Sequence, residues 1–248
     1  MKRLLYILYQ PYKWLVFFPL FALCTCILVL IGVLIILLVD DYAANRTTGV
    51  WWARLTAYIT PMIVERTGGE HIQKKQSYIV VSNHQSMYDI LVLYGWIGVD
   101  LKWVIKKEVR RIPVIGFAAE KGGNIFIDRS NPGAAYESLK QAREKIVNGT
   151  SIIILPEGTR SRTGELGEFK KGAFRLAREL RLPILPVTIK NTRNILPPNT
   201  LRLFPGRAVM KIHPPIDTES YDESSFDALI ARVREVIKSG LDGDGNKS

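Results

Sequence analysis

Trp14 to Val39 is a run of 26 residues without a charged side chain, and few folds can accept it. As a helix it would be about 39 Å long, more than the roughly 30 Å of a bilayer's hydrocarbon layer. A helix on a water-soluble surface would carry polar residues along one face. Lys2 and Arg3 precede the run, as they would in a secretory signal. However, the stretch is longer than a signal core, and Asp40-Asp41 stand where a cleavage site needs small residues. The segment is therefore expected to be retained as a membrane-embedded helical region. Pro19 and Gly32 leave two geometries open, a straight span and a re-entrant hairpin.

Both cysteines, Cys24 and Cys26, lie inside this run, which argues against a disulfide framework or a zinc site. The three histidines, His71, His84 and His213, are scattered, so no metal is expected. Val50 to Val64 carries Trp51, Trp52, Tyr58, Ile59 and Ile63, but Arg54 and Pro61 make it a poor span. It fits an interfacial helix at headgroup level and a core helix of the following domain equally well. Gly68-Gly69 marks a boundary. The expected organisation is a membrane-anchoring region over 1–67, an α/β domain over 68–240 and a frayed tail over 241–248.

Past Gly69 short β-like runs alternate with helical patterns. Strands are predicted at Tyr78–Ser82, Lys102–Ile105, Asn124–Ile127, Ser151–Leu155, Ile184–Ile189 and Ala208–His213. Helices are predicted at Pro132–Asn148, Lys171–Leu180 and Ser225–Ser239, the last ended by Gly240. Strands separated by helices imply an α/β fold whose sheet is largely parallel or mixed and flanked by helices.

The formal net charge is +11, and residues 102–181 hold 17 Lys/Arg against 9 Asp/Glu. Such a surface suits nucleic acid, anionic lipid or a phosphorylated substrate. The apolar segment favours the membrane and argues against nucleic acid.

Four stretches carry chemistry. In Asn83-His84-Gln85-Ser86-Met87-Tyr88-Asp89, a histidine and a carboxylate lie five positions apart after an apolar strand. Within one helix that step would point them about 140° apart. They can meet if His84 lies in the loop and Asp89 in the first turn of the next helix. Asp89 would then fix the tautomer of His84, leaving the other ring nitrogen to take a proton from a hydroxyl. The second stretch, Leu155-Pro156-Glu157-Gly158-Thr159-Arg160-Ser161, follows the strand Ile152-Ile153-Ile154. Gly158, Thr159 and Arg160 can grip an anion at the end of a parallel strand. Glu157 is contrary there unless it pairs with a cation or a substrate hydroxyl. The third, Gly122 to Arg129, offers Arg129 as a phosphate ligand or as a partner for Asp128. The fourth, Lys106 to Arg111, reads mainly as a solvated basic face, with Lys106 best placed to reach a site.

The blocks NHQSMYD, GGNIFIDR, LPEGTRS and LPILPVTI, in that order over about residues 77–215, resemble the glycerolipid acyltransferase family. The likeness is greatest to its 1-acyl-sn-glycerol-3-phosphate (lysophosphatidic acid) acyltransferases. The resemblance implies that His84 is the general base and Asp89 its orienting partner. It implies that Lys106, Arg129, Glu157, Gly158, Thr159 and Arg160 bind the glycerol phosphate. It also implies an acyl thioester on coenzyme A or acyl carrier protein as co-substrate, no other cofactor, and membrane lipids as surroundings. The expected reaction acylates the sn-2 hydroxyl of 1-acyl-sn-glycerol 3-phosphate, giving phosphatidic acid. Glycerol 3-phosphate or another lysophospholipid would suit the same motifs. Lys2, Arg3 and Lys13 against Asp40 and Asp41 place the N-terminus in the cytoplasm. A straight span would then put the catalytic domain outside, away from its thioesters, whereas a cytoplasmic catalytic face is expected.

Overall fold

The structure is a computed structural model that describes residues 2–113, 115–128, 130–131, 133–134, 137–138, 146 and 149–242. Arg129, most of the expected helix Pro132–Asn148 and the last six residues of the expected tail lie outside them.

Among the described residues seven strands form one sheet. They are β1 (Met62–Thr67), β2 (Ile79–Ser82), β3 (Asp100–Lys106), β4 (Ile125–Ile127), β5 (Thr150–Ile154), β6 (Ile184–Lys190) and β7 (Gly206–Ile212), in the order β1-β7-β6-β2-β5-β3-β4. Strands β2 to β6 are mutually parallel. β7 runs antiparallel to β6, and β1 pairs parallel to β7.

The central strand explains the layers. β2 reads Ile-Val-Val-Ser with every residue buried, as a parallel strand covered on both faces must be. Val80 enters one core, with Tyr88, Leu91, Val92 and Leu93 of the helix Tyr88–Trp96 and with Ala53 and Ala57 of the helix Val50–Ile59. Ile79 and Val81 enter the other, with Phe174 and Leu176 of Gly172–Leu180 and with Leu229, Val233 and Ile237 of Phe226–Asp242. The result is helix, sheet, helix, as the alternation predicts.

The apolar segment lies outside the first layer. Helix Lys2–Tyr12, a π-helical turn Lys13–Phe17 and helix Phe18–Leu38 run on from one another. Tyr6–Leu38 is long and apolar enough to cross a membrane. Leu15, Leu23, Leu30, Leu34 and Leu37 are exposed along it. Neither Pro19 nor Gly32 breaks the helix, and reversal comes at Val39-Asp40. There the Asp40 carboxylate accepts from the Ala43 backbone N–H at 2.6 Å and caps the returning helix. The chain comes back alongside through Asp41–Ile59, with Trp52 Nε1 donating to Thr25 Oγ1 at 3.0 Å. Tyr12 donates to the carbonyl of Ile59 at 2.7 Å and Tyr9 to that of Thr60 at 3.2 Å, so the early part of the first arm meets the end of the second. The apolar segment is one arm of a helical hairpin.

Two boundaries differ from expectation. Met62–Thr67 is a strand of the sheet, so the α/β domain begins before residue 68. Its polar, exposed Glu65 and Arg66 suit an edge strand, and with Met62 its one buried residue it carries no strand-like apolar pattern. The helix Val50–Ile59 packs Ala53 and Ala57 into the core, as the core-helix reading expects, and leaves Trp51 and Tyr58 exposed. Gly240 does not end the C-terminal helix, which continues to Asp242. A β-carbon at Gly240 would lie 2.3 Å from Thr188 Oγ1 and 2.9 Å from His213 Nε2, so close approach, not termination, requires glycine.

That contact carries a pH dependence. Thr188 Oγ1 donates to the carbonyl of Ile237 at 2.9 Å, so His213 Nε2, 2.8 Å away, donates to Thr188. Burial, followed by the charges of Lys211 and His71, pushes His213 down to about 4. An unfolded histidine titrates near 6.5, so the unfolded chain takes up the proton first. Stability is therefore complete above about pH 6.5 and falls as pH drops toward 4. The expected loss between pH 7.5 and 5 is about 2 kcal/mol. Denaturation curves at the two values should lose that difference in His213→Gln; an unchanged difference contradicts the account.

Candidate active site

Parallel strands end in loops at one edge of the sheet, and the loop after the central strand has neighbours on both sides. β2 ends at Ser82, and Asn83 is pinned to β6. Its amide Nδ2 donates to the carbonyl of Ile189 at 2.9 Å, and its Oδ1 accepts from the Ile189 N–H at 2.8 Å. This extension of the ladder places His84 just past the strand. The helix Tyr88–Trp96 begins four residues later, with Asp89 in its first turn.

His84 Nδ1 lies 2.8 Å from Asp89 Oδ2. The same oxygen accepts the backbone N–H groups of Gln85 at 2.7 Å and Ser86 at 2.9 Å. Thr192 Oγ1 donates to Asp89 Oδ1 at 2.5 Å. Asp89 is fully buried, and its two oxygens accept from Gln85 N, Ser86 N and Thr192 Oγ1. With the carboxylate acting as acceptor at both oxygens, Nδ1 donates to it and Nε2 is left with a lone pair. The His84 side chain is 14 % exposed. An imidazole held in this way can accept a proton at Nε2. Ser86 Oγ donates to the carbonyl of Leu196 at 2.7 Å and accepts from the Tyr88 N–H at 3.1 Å. Buried and engaged twice, it is not placed as a nucleophile.

His84 lines a cavity of about 1380 Å³. One part of its wall is apolar, with Trp103, Val104, Ile127, Ile153 and Phe169 from the strands and their connections. Another part is the run Glu157 to Thr163, with Lys170, Lys171 and Asn199. The loop after β5 is tied to the loop carrying His84 at two points. The Ser161 N–H donates to the His84 carbonyl at 2.8 Å. The His84 N–H donates to Glu157 Oε1 at 2.8 Å, and the Gly167 N–H donates to Oε2 at 2.9 Å. Gly158 takes φ +72°, which a glycine adopts without strain. Arg160 Nη2 donates to Asn199 Oδ1 at 3.2 Å.

Of the residues expected from sequence, His84, Glu157, Gly158, Thr159 and Arg160 share this cavity, and Asp89 sits behind His84. Among the described residues no cation pairs with the carboxylate of Glu157. It holds two backbone amides, which accounts for an acid beside basic residues. Lys106 ends β3 with its side chain 58 % exposed and 3.6 Å from Glu108, and it is not part of the cavity lining. Thr192 and Asn83 were missed by sequence reasoning. Asn83 lies inside a motif already singled out, but nothing local to Thr192 marks it, because its partner is 103 residues away.

The Acyltransferase family profile matches residues 63–190, from the first strand of the sheet to the end of β6. The 1-acyl-sn-glycerol-3-phosphate acyltransferase of Limnanthes douglasii is 35 % identical over 188 residues, 75 % of this chain and 66 % of the relative. That of Cocos nucifera is 33 % identical over 84 % of this chain and 68 % of the relative, and that of Saccharomyces cerevisiae 30 % over 86 % and 71 %. The chain thus spans about two thirds of the length of these relatives. The crystal structure of the 1-acyl-sn-glycerophosphate (LPA) acyltransferase PlsC from Thermotoga maritima superposes with a TM-score of 0.81 at 26 % identity, covering all of both chains. With the His84–Asp89 pair at the end of the central strand of that fold, this chain belongs to the acyltransferase family.

Proposed function

We propose that the protein acylates the sn-2 hydroxyl of 1-acyl-sn-glycerol 3-phosphate at a membrane surface, giving phosphatidic acid. The carrying observation is the His84 Nδ1–Asp89 contact of 2.8 Å in the wall of the large cavity. His84 Nε2 takes the hydroxyl proton as that oxygen attacks the carbonyl carbon of an acyl thioester. The tetrahedral intermediate collapses, the carbon–sulfur bond breaks, and the imidazolium returns a proton to the departing thiolate. Coenzyme A and acyl carrier protein are both suitable carriers, and the step needs no further cofactor or metal. The engaged hydroxyl of Ser86 supports direct transfer over an acyl-enzyme.

The phosphate is held by Arg160, Thr159 and the backbone at Gly158, with Glu157 acting through the loop it braces. Arg129 follows β4 in sequence by two residues and is a further ligand in this reading. Lys106 would have to exchange Glu108 for the substrate. The names of the relatives and of the solved structure support lysophosphatidic acid as acceptor. Glycerol 3-phosphate and other lysophospholipids are the competing acceptors.

The hairpin supports a cytoplasmic catalytic face. Its second arm returns to the start of the sheet, and Tyr9 and Tyr12 of the first arm meet that same end. The N-terminus and the catalytic domain then lie on one side of the membrane, which removes the conflict that a straight span creates. Protease added to sealed, oriented vesicles should digest the catalytic domain only from the cytoplasmic side; digestion from the opposite side sinks the topology.

His84→Ala should lower kcat by at least about 10³-fold in protein that still purifies folded, and Asp89→Asn should lower it by on the order of 10³. Near-normal transfer by purified His84→Ala refutes the mechanism. Arg160→Ala should raise KM for the phosphorylated acceptor at least about tenfold, the effect of one lost charge-assisted contact. The check is steady-state kinetics over a panel of lyso-acceptors with both donor types. An unchanged acceptor KM would move the phosphate site elsewhere.

A further inference from the structure

We infer that Thr192 is a positioning residue for the proton transfer, because its hydroxyl fixes the carboxylate that fixes His84. This rests on the reading of His84 as the general base.

Asp89 Oδ2 takes three donors from its own loop, namely His84 Nδ1, Gln85 N and Ser86 N. Among the described residues, Oδ1 takes one, the Thr192 hydroxyl at 2.5 Å. The terminal torsion of an aspartate is broad, so donors clustered on one oxygen leave the group free to rock about that oxygen. A donor on the other oxygen removes that freedom and sets the plane that Nδ1 meets. Thr192 is fully buried, as is Asp89, so no water is at hand to replace the hydroxyl.

The donor comes from a separate part of the sheet. Thr192 opens the short helix Thr192–Ile195 directly after β6, following Asn191 at φ +68°. The next residue, Leu196, accepts from Ser86 Oγ through its carbonyl at 2.7 Å. Ile189, three residues before Thr192, carries the double bond to Asn83. Residues 189–196 therefore grip the catalytic loop at Asn83, Ser86 and Asp89. Two of those grips could be structural alone, but the third lands on the group that orients the imidazole. Valine has nearly the shape of threonine and lacks the hydroxyl, so it would leave a buried anionic oxygen without a donor.

The test is a kinetic cycle on the purified full chain with Thr192→Val, Thr192→Ser, Asp89→Asn and the double variant Thr192→Val/Asp89→Asn. His84→Ala is measured alongside. Thr192→Val should lower kcat about tenfold to a hundredfold, the range for a lost hydrogen bond to a charged group, with both KM values within about threefold. Thr192→Ser, which restores the donor, should return kcat to within about threefold of the parent. In the Asp89→Asn background the valine should cost almost nothing more, since its effect runs through the carboxylate. Thr192→Ala gives the same comparison if the valine variant does not purify folded.

Three results overturn the inference: unchanged kcat in Thr192→Val, a full additional loss in the Asp89→Asn background, or no rescue by serine. Retained activity in His84→Ala would instead refute the underlying reading. An inactive His84→Ala beside a fully active Thr192→Val would refute the role of Thr192 alone.

Discussion

The site is organised around a carboxylate that water does not reach. Burying an ionised carboxyl group is costly unless protein donors replace its hydration. Asp89 meets that condition with two backbone amides of the preceding loop, one hydroxyl from beyond β6 and the imidazole of His84. The two amides are available because Gln85 and Ser86 lie in the loop between β2 and the helix Tyr88–Trp96, where neither the sheet nor the helix uses their N–H groups. An acid in a first helical turn suits the positive end of the helix. The loop geometry that brings His84 onto Asp89 thus also makes the buried charge tolerable. One local arrangement meets both needs, and the sheet holds it through Asn83.

The hairpin is bound to this framework at both of its ends. At its base Tyr9 and Tyr12 reach the carbonyls of Thr60 and Ile59, and Lys13 Nζ donates to the Leu201 carbonyl at 3.3 Å. At its tip Asp41 lies 2.8 Å from Lys102 of β3, whose ammonium also donates to the Gly122 carbonyl at 3.1 Å and lies 3.5 Å from Asp100. Lys102 and Asp100 are buried, and burial pushes the Asp100 carboxyl up even with Lys102 beside it. A single buried cation between two acids needs both partners, so withdrawing the hairpin tip would leave Lys102 with Asp100 and a carbonyl alone. The membrane segment is consequently part of the fold of the catalytic domain and not a tether attached to it.

Much of this was legible in the sequence because it is local. The parallel strands β2 to β6 show as short apolar runs, since both faces of a parallel sheet are buried, and each of them, like β7, lies within two residues of its expected start. The 26-residue uncharged run shows as a membrane segment for the same reason of composition. His84 and Asp89 are five residues apart, so their meeting could be argued from helix geometry. What was not legible depends on pairings across the sheet. β1 is recognisable only beside β7, the reversal at Val39-Asp40 only beside Trp52 and Thr25, and Thr192 only beside Asp89. Gly240 was misread because a glycine near a helix end resembles a stop, whereas here it makes room for Thr188 and His213.

Glu157 shows how the two halves of the site depend on each other. A carboxylate in a loop proposed to hold a phosphate would repel its ligand if it faced the cavity unpaired. It instead receives the N–H of His84 on one oxygen and that of Gly167 on the other, while the His84 carbonyl receives the N–H of Ser161. The backbone of His84 is therefore bonded on both sides to the loop that carries Arg160. A shift of the proposed phosphate grip would move the proposed base with it. An alcohol oxygen held through a phosphate must lie within hydrogen-bond reach of Nε2 for proton transfer, roughly 2.6–3.2 Å. Two loops joined through one residue's own peptide groups can keep that spacing as substrates enter and products leave, whereas two independently mobile loops could not.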